Sequence, residues 1–106
     1  MRRFTPGELN EYLCSTDSTP LLLDVREPWE FEKCSITGSQ LIPMGQIRND
    51  YTQLDKNRET VVICHHGIRS RAVCLFLERE GFSNVINLEG GVERWAKDVE
   101  PDMQRY

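Results

Sequence analysis

Four short apolar runs punctuate an otherwise polar chain: Leu21-Leu22-Leu23, Gln40-Leu41-Ile42, Val61-Val62-Ile63 and Val85-Ile86-Asn87-Leu88. Each is bounded by polar or turn residues, the pattern of a strand buried on both faces. Helix signals lie between them. Thr5-Pro6-Gly7-Glu8 combines an N-cap threonine, a proline at the first helical position and a glutamate three residues on. That is a capping box, and it predicts a helix over residues 6–13. Pro28 starts a short helix through Phe31 and Lys33, and a polar helix over residues 45–54 follows Pro43. Residues 69–80 repeat with helical period, with Ala72, Val73, Phe76 and Leu77 on one face, Arg71 and Glu78 on the other, and Gly81 as the stop. Gly90-Gly91 turns the chain into a last helix containing Trp95. Apolar strands alternating with helices predict an α/β fold, a mostly parallel sheet covered on both faces.

Composition narrows the function. A chain of 106 residues has room for one domain with a single core, here residues 1–106. Hydrophobic content of 39% with 28% charged residues is that of a soluble globular protein. The net charge of −4 argues against a nucleic-acid partner, which would call for a basic face. No run approaches membrane-spanning length, so no membrane association is expected. The opening arginines lead into TPGELNEYL without an apolar segment. No secretory signal is therefore expected, and a cytoplasmic location is. The cysteines at 14, 34, 64 and 74 form no CxxC pair, which speaks against a zinc site. No metal and no cofactor are expected. Cys14 and Cys74 fall on helices and read as packing residues.

The polar chemistry is concentrated in residues 61–72, VVICHHGIRSRA. Open α/β sheets bind ligands at the carboxyl ends of their strands, in loops that lead into helices. Cys64 stands at such an end. Unpaired N–H groups at a helix start favour an anion, and a sulfur facing them favours the reactive thiolate. Gly67 permits a positive φ that curls the loop, aiming several N–H groups inward. Arg69 and Arg71 add positive charge, with either one as the residue that faces the pocket. His65 and His66 are the only histidines. Neighbours in sequence point apart, so a protease-type Cys-His dyad is not expected, and His65 fits a solvated loop residue equally well.

These residues, with three other segments, resemble the single-domain rhodaneses, a family of sulfurtransferases. The resemblance rests on Asp24-Val25-Arg26-Glu27-Pro28-Trp29-Glu30-Phe31; on Ile36-Thr37-Gly38-Ser39 before Leu41-Ile42-Pro43; on Cys64 followed by His65-His66-Gly67-Ile68-Arg69 with Ser70 opening the helix; and on Leu88-Glu89-Gly90-Gly91 with Trp95. It spans nearly the whole chain. It implies a five-stranded parallel sheet flanked by helices on both faces. It also implies a catalytic Cys64 that takes a sulfane sulfur from a donor such as thiosulfate as a persulfide. An acceptor, either a small thiophile or a sulfur-carrier protein, then removes it. The substrate would be held by the loop residues His65, His66, Gly67, Ile68, Arg69 and Ser70, with Arg69 steering an anionic donor. Arg26 is expected in a structural ion pair with Glu27 or Glu30. One departure is Cys34-Ser35, where family members often carry Gly-His; it leaves open a second, redox-active thiol.

Two other functions fit the same fold. A dual-specificity-type phosphatase holds phosphate in a C-x5-R loop, but here the sixth residue after Cys64 is Ser70, and the arginines stand at five and seven. A non-catalytic docking module would need no cysteine.

Overall fold

Alternation along the strand Thr60–Ile63 divides the core in two. Val62, and Cys64 just beyond the strand, pack on one face of the sheet, while Val61 and Ile63 pack on the other. This is the two-residue period of a strand buried on both sides. The computed structural model describes residues 1–106. It comprises β1 (Arg2–Phe4), α1 (Pro6–Ser15), β2 (Leu21–Asp24), α2 (Pro28–Lys33), β3 (Gln40–Leu41), α3 (Ile47–Asp50), β4 (Thr60–Ile63), α4 (Ile68–Arg79), β5 (Val85–Leu88) and α5 (Gly91–Asp98). All pairings are parallel, in the order β1-β5-β4-β2-β3. Ile47 of α3 and Val73, Cys74 and Leu77 of α4 cover one face; Leu9 of α1 and Val92 and Trp95 of α5 cover the other. The expected α/β sheet with helices on both faces is therefore present.

The strand missing from the apolar pattern is β1. Its sequence Arg-Arg-Phe has no apolar run because it is an edge strand, mostly exposed and paired only with β5. The α1 cap forms as read: Thr5 Oγ1 accepts from the Glu8 amide and the Glu8 carboxylate accepts from the Thr5 amide. The helix runs on to Ser15. Cys14 lies on its exposed side and outside both core clusters, contrary to expectation. The segment expected as one helix over 45–54 is instead a 3-10 turn at Met44–Gln46, the single turn of α3, and a second 3-10 turn at Tyr51–Gln53.

The phase of α4 also differs from the reading of its apolar residues. The buried stripe is Ser70, Val73, Cys74 and Leu77, while Ala72 is exposed and Phe76 half-buried. These buried positions follow the i, i+3, i+4, i+7 rule, and the polar Ser70 at their head disguises the register. That serine is buried because it belongs to the site.

Candidate functional site

The loop after β4 is fixed from both ends. The N–H groups of Val92 and Glu93, in the first turn of α5, donate to the carbonyls of Cys64 (2.9 Å) and His65 (3.1 Å). Contact is so close that a Cβ on Gly91 would lie 2.3 Å from the Cys64 oxygen and 2.4 Å from that of His65. Gly67 then caps α4 with φ +96°, the left-handed geometry that glycine adopts without strain. This curl turns backbone amides toward the cysteine. The Gly67 N–H donates to Cys64 Sγ at 3.0 Å and the Ser70 N–H at 3.3 Å. Both belong to the start of α4, where the helix dipole adds partial positive charge.

A buried side-chain chain completes the cradle. The Cys64 thiol donates to Ser70 Oγ at 3.3 Å, and the Ser70 hydroxyl donates to Asn87 Oδ1. Asn87 Nδ2 in turn donates to the Gly67 carbonyl at 3.2 Å. Asn87 is buried in β5, opposite Val62 of β4, and Val85 two residues before it packs on the α4 face. The polar residue inside an apolar strand was the signal for it in the sequence.

The arginines are divided differently from expectation. Arg69 makes a two-point ion pair with Glu30 of α2, at 2.7 and 2.8 Å, instead of turning to the sulfur. Glu30 also accepts from the Glu27 amide and from the Tyr106 hydroxyl, both at 2.9 Å. Arg26 pairs with neither Glu27 nor Glu30 through their carboxylates. It is fully buried, gripping the Asp24 carboxylate (2.7 Å) and donating to the Cys34 carbonyl (2.7 Å) and the Tyr106 hydroxyl (2.9 Å). Arg71 is exposed at the open side of the loop, beside His66 and Gly67. The Glu27 contact of Glu30 is local, a capping interaction at the start of α2, whereas its pairing with Arg69 and Tyr106 has no local sequence signal, because those partners lie on other elements.

The Arg69 guanidinium pushes the Glu30 carboxyl down to about 2; burial opposes the shift, and the Glu27 amide and Tyr106 hydroxyl assist it. A carboxyl with a depressed folded-state pKa stabilises the fold above its unfolded value and loses that contribution as pH falls through the folded one. Wild-type protein should therefore lose stability as pH drops from 4.5 to about 2. Glu30→Gln should show a shallower loss across that window in urea midpoints. Equal slopes would dismiss the pairing as an energetic contributor.

His65 is not a solvated loop residue. Its ring stacks on His66 (centroids 4.0 Å) and on Tyr106 (4.1 Å), and its Nε2 lies 3.5 Å from Glu93. Burial, then the neighbouring His66, holds its pKa below the ordinary range. Neither histidine hydrogen-bonds Cys64, as the order of residues led one to expect. Ile68, in the same loop, points outward and is 79% exposed. Cys34 is buried with its sulfur 4.0 Å from Arg26, and burial pushes the Cys74 thiol up to about 12. Cys64 is thus the one thiol of the four that receives backbone N–H donors. No helix is long and apolar enough to cross a membrane.

Comparison with known proteins matches this arrangement. A probable adenylyltransferase/sulfurtransferase of Mycobacterium tuberculosis, MoeZ, is 38% identical over 96% of the chain, which spans 26% of that protein's length. A putative sulfurtransferase of Bacillus subtilis, YtwF, is 40% identical over 80% of the chain and 82% of its own length. The crystal structure of a rhodanese-related protein from Thermoplasma volcanium superposes with a TM-score of 0.84 at 34% identity, covering 95% of this chain and 96% of that one. The model of the rhodanese-like domain matches residues 5–98. With the sheet order, the glycine-curled cysteine loop and these relatives in agreement, the chain belongs to the rhodanese-like domain family.

Proposed function

We propose that this chain is a sulfurtransferase, acting as one domain, which carries a sulfane sulfur on Cys64. The single observation behind this reading is the pair of N–H groups, from Gly67 and Ser70, aimed at Cys64 Sγ. Donors already in position hold negative charge on sulfur without reorganising at the moment of reaction. The Cys64 thiolate attacks the outer sulfur of thiosulfate. A new S–S bond forms, the original S–S bond breaks, and sulfite leaves with its electron pair. The charge that began on Cys64 ends on the outer sulfur of the persulfide. An acceptor thiolate then attacks that sulfur and releases the Cys64 thiolate, which splits one transfer into two steps. The sulfurtransferase names of the relatives support this chemistry, and a relative from Bacillus subtilis called a putative sulfur carrier protein supports a protein as acceptor.

In this mechanism the loop from His65 to Ser70 encloses the transferred sulfur. Ser70 and Asn87 fix its shape. Arg71, exposed at the loop mouth, steers the anionic donor, and Arg69 secures the loop to α2 through Glu30. Phosphate chemistry has less support, since a phosphatase loop of this kind needs an arginine at the sixth position for a bidentate grip. Ser70 occupies that position and its amide is already committed to Cys64. Incubation with thiosulfate should add one sulfur atom to Cys64, detected by mass spectrometry, and Cys64→Ser should abolish the adduct while remaining folded. Hydrolysis of an aryl phosphate should be negligible. Robust phosphatase turnover that is lost in Cys64→Ser would overturn the assignment.

A further inference from the structure

The outward face of α4 carries features that the sulfur chemistry does not use. Five large apolar side chains of the chain are exposed, and three of them meet here: Ile68 (79%), Leu75 (46%) and Met44 (40%). They line two adjoining grooves that share Ala72 and Leu75. One groove runs between α4 and the 44–48 segment; the other reaches His66 and Gly67, at the mouth of the Cys64 loop. Joined at Ala72 and Leu75, they form one trough along α4 that reaches the Cys64 loop at His66 and Gly67.

Its rim is basic. Arg48 and Arg79 line the first groove and Arg71 the second. None of the three has a carboxylate within ion-pair distance, whereas Arg2, Arg3, Arg26, Arg69, Arg94 and Arg105 each have one. Arg58, the remaining arginine, donates to the Thr19 carbonyl. In a chain with 17 acidic and 13 basic residues, three of the four guanidinium groups without a carboxylate partner thus lie along these two grooves. Arg48 lies over the Phe76 ring at 5.6 Å, which holds one cation at the rim. Glu89 is the single carboxylate in the lining, and it faces Arg3 and the Asn87 amide.

We propose that this trough docks an acidic polypeptide segment bearing aliphatic side chains, belonging to the protein that exchanges sulfur with Cys64. The proposal rests on the sulfurtransferase reading for the identity of the partner, and on geometry alone for the surface. Aliphatic contacts beneath a rim of unpaired arginines match a segment that alternates carboxylates with leucine or isoleucine. A single-stranded nucleic acid fits less well, because the three exposed large apolar side chains are not aromatic, and the two rings of the lining are already engaged, His66 stacked on His65 and Phe76 half-buried beneath Arg48. A segment lying along α4 would end beside Gly67 and bring a terminal thiol to the loop mouth.

The test uses full-length Cys64→Ser protein, so that its outcome does not depend on sulfur loading. A fluorescein-labelled ten-residue peptide of alternating glutamate and leucine is titrated by anisotropy, beside a lysine–leucine counterpart and an oligodeoxythymidylate of matching charge. The acidic peptide should bind, weaken as salt rises, and shift the amide resonances of Ile68, Ala72 and Leu75 while leaving β1 unmoved. Arg48→Glu/Arg79→Glu should weaken it at least tenfold with an unchanged melting temperature. Arg48→Lys/Arg79→Lys should retain most of the binding. Equal binding by wild-type and charge-reversed surfaces, no binding at all, or tighter binding of the oligonucleotide would each overturn the proposal. A failure to load sulfur from thiosulfate, measured separately, would overturn only the chemical reading.

Discussion

Asp24→Ala is expected to lower the free energy of unfolding by about 3–5 kcal/mol, the usual cost of stranding one partner of a buried ion pair. Arg26 and Asp24 are both fully buried, and Asp24 is the only carboxylate that Arg26 contacts. Burial works against the guanidinium charge, and the hydrogen bonds to Asp24 and Tyr106 outweigh it. The same carboxylate accepts from the Arg26 backbone amide at 3.0 Å, so its removal also loosens the turn between β2 and α2. Asp24→Asn keeps an oxygen for that amide and should lose less. Urea denaturation of the three proteins checks the order. A loss below 1 kcal/mol in Asp24→Ala would show that the carbonyls and the Tyr106 hydroxyl around Arg26 suffice.

Gly91→Ala should be the most damaging of the single-methyl additions. The new Cβ would stand 2.3 Å from a backbone oxygen that is itself fixed by the Val92 amide, at a position with φ +59°. Positive φ alone costs a non-glycine residue about 1–3 kcal/mol. Relieving the contact must also move either α5 or the Cys64 carbonyl. Both stability and sulfur loading should therefore fall together. Gly7 offers the contrast: it lies in α1 with nothing within 4 Å of a built Cβ. Gly7→Ala should be neutral or gain about 0.4–1 kcal/mol. Thermal melting of both variants, with thiosulfate loading of Cys64 as the second readout, tests the pair. Normal loading in a well-folded Gly91→Ala would detach the loop from α5.

What was legible in the sequence is what depends on neighbours along the chain. The Thr5–Glu8 box, the positive φ of Gly67 and the position of Cys64 at a strand end follow from adjacent residues, and all three are present. The phase of α4 was misread because its buried stripe begins with Ser70, a polar residue held by Cys64 and Asn87. Cys14 differs from expectation for a related reason: being on a helix does not say which side faces the core, and the core side of α1 is the one carrying Leu9 and Leu13. Asp24, the ion-pair partner of Arg26, lies only two residues away, but the long-range partners of Arg26 and Arg69 could not be read at all. Arg69 meets Glu30 across α2 and α4, and Arg26 meets Tyr106 from the far end of the chain. Such pairings exist only after the sheet has brought distant elements together.

Surface loops ordinarily vary in length among related proteins, since solvent accommodates an extra residue at small cost. The Cys64 loop has no such freedom. Its first two carbonyls are fixed by α5, its glycine carbonyl by Asn87, and its amides by the sulfur they surround. An insertion would have to break one of these attachments before any new contact could form. In this chain, therefore, side-chain replacements at Ile68 and Arg71, which are exposed, disturb the sulfur cradle less than any change in the spacing between strand and helix.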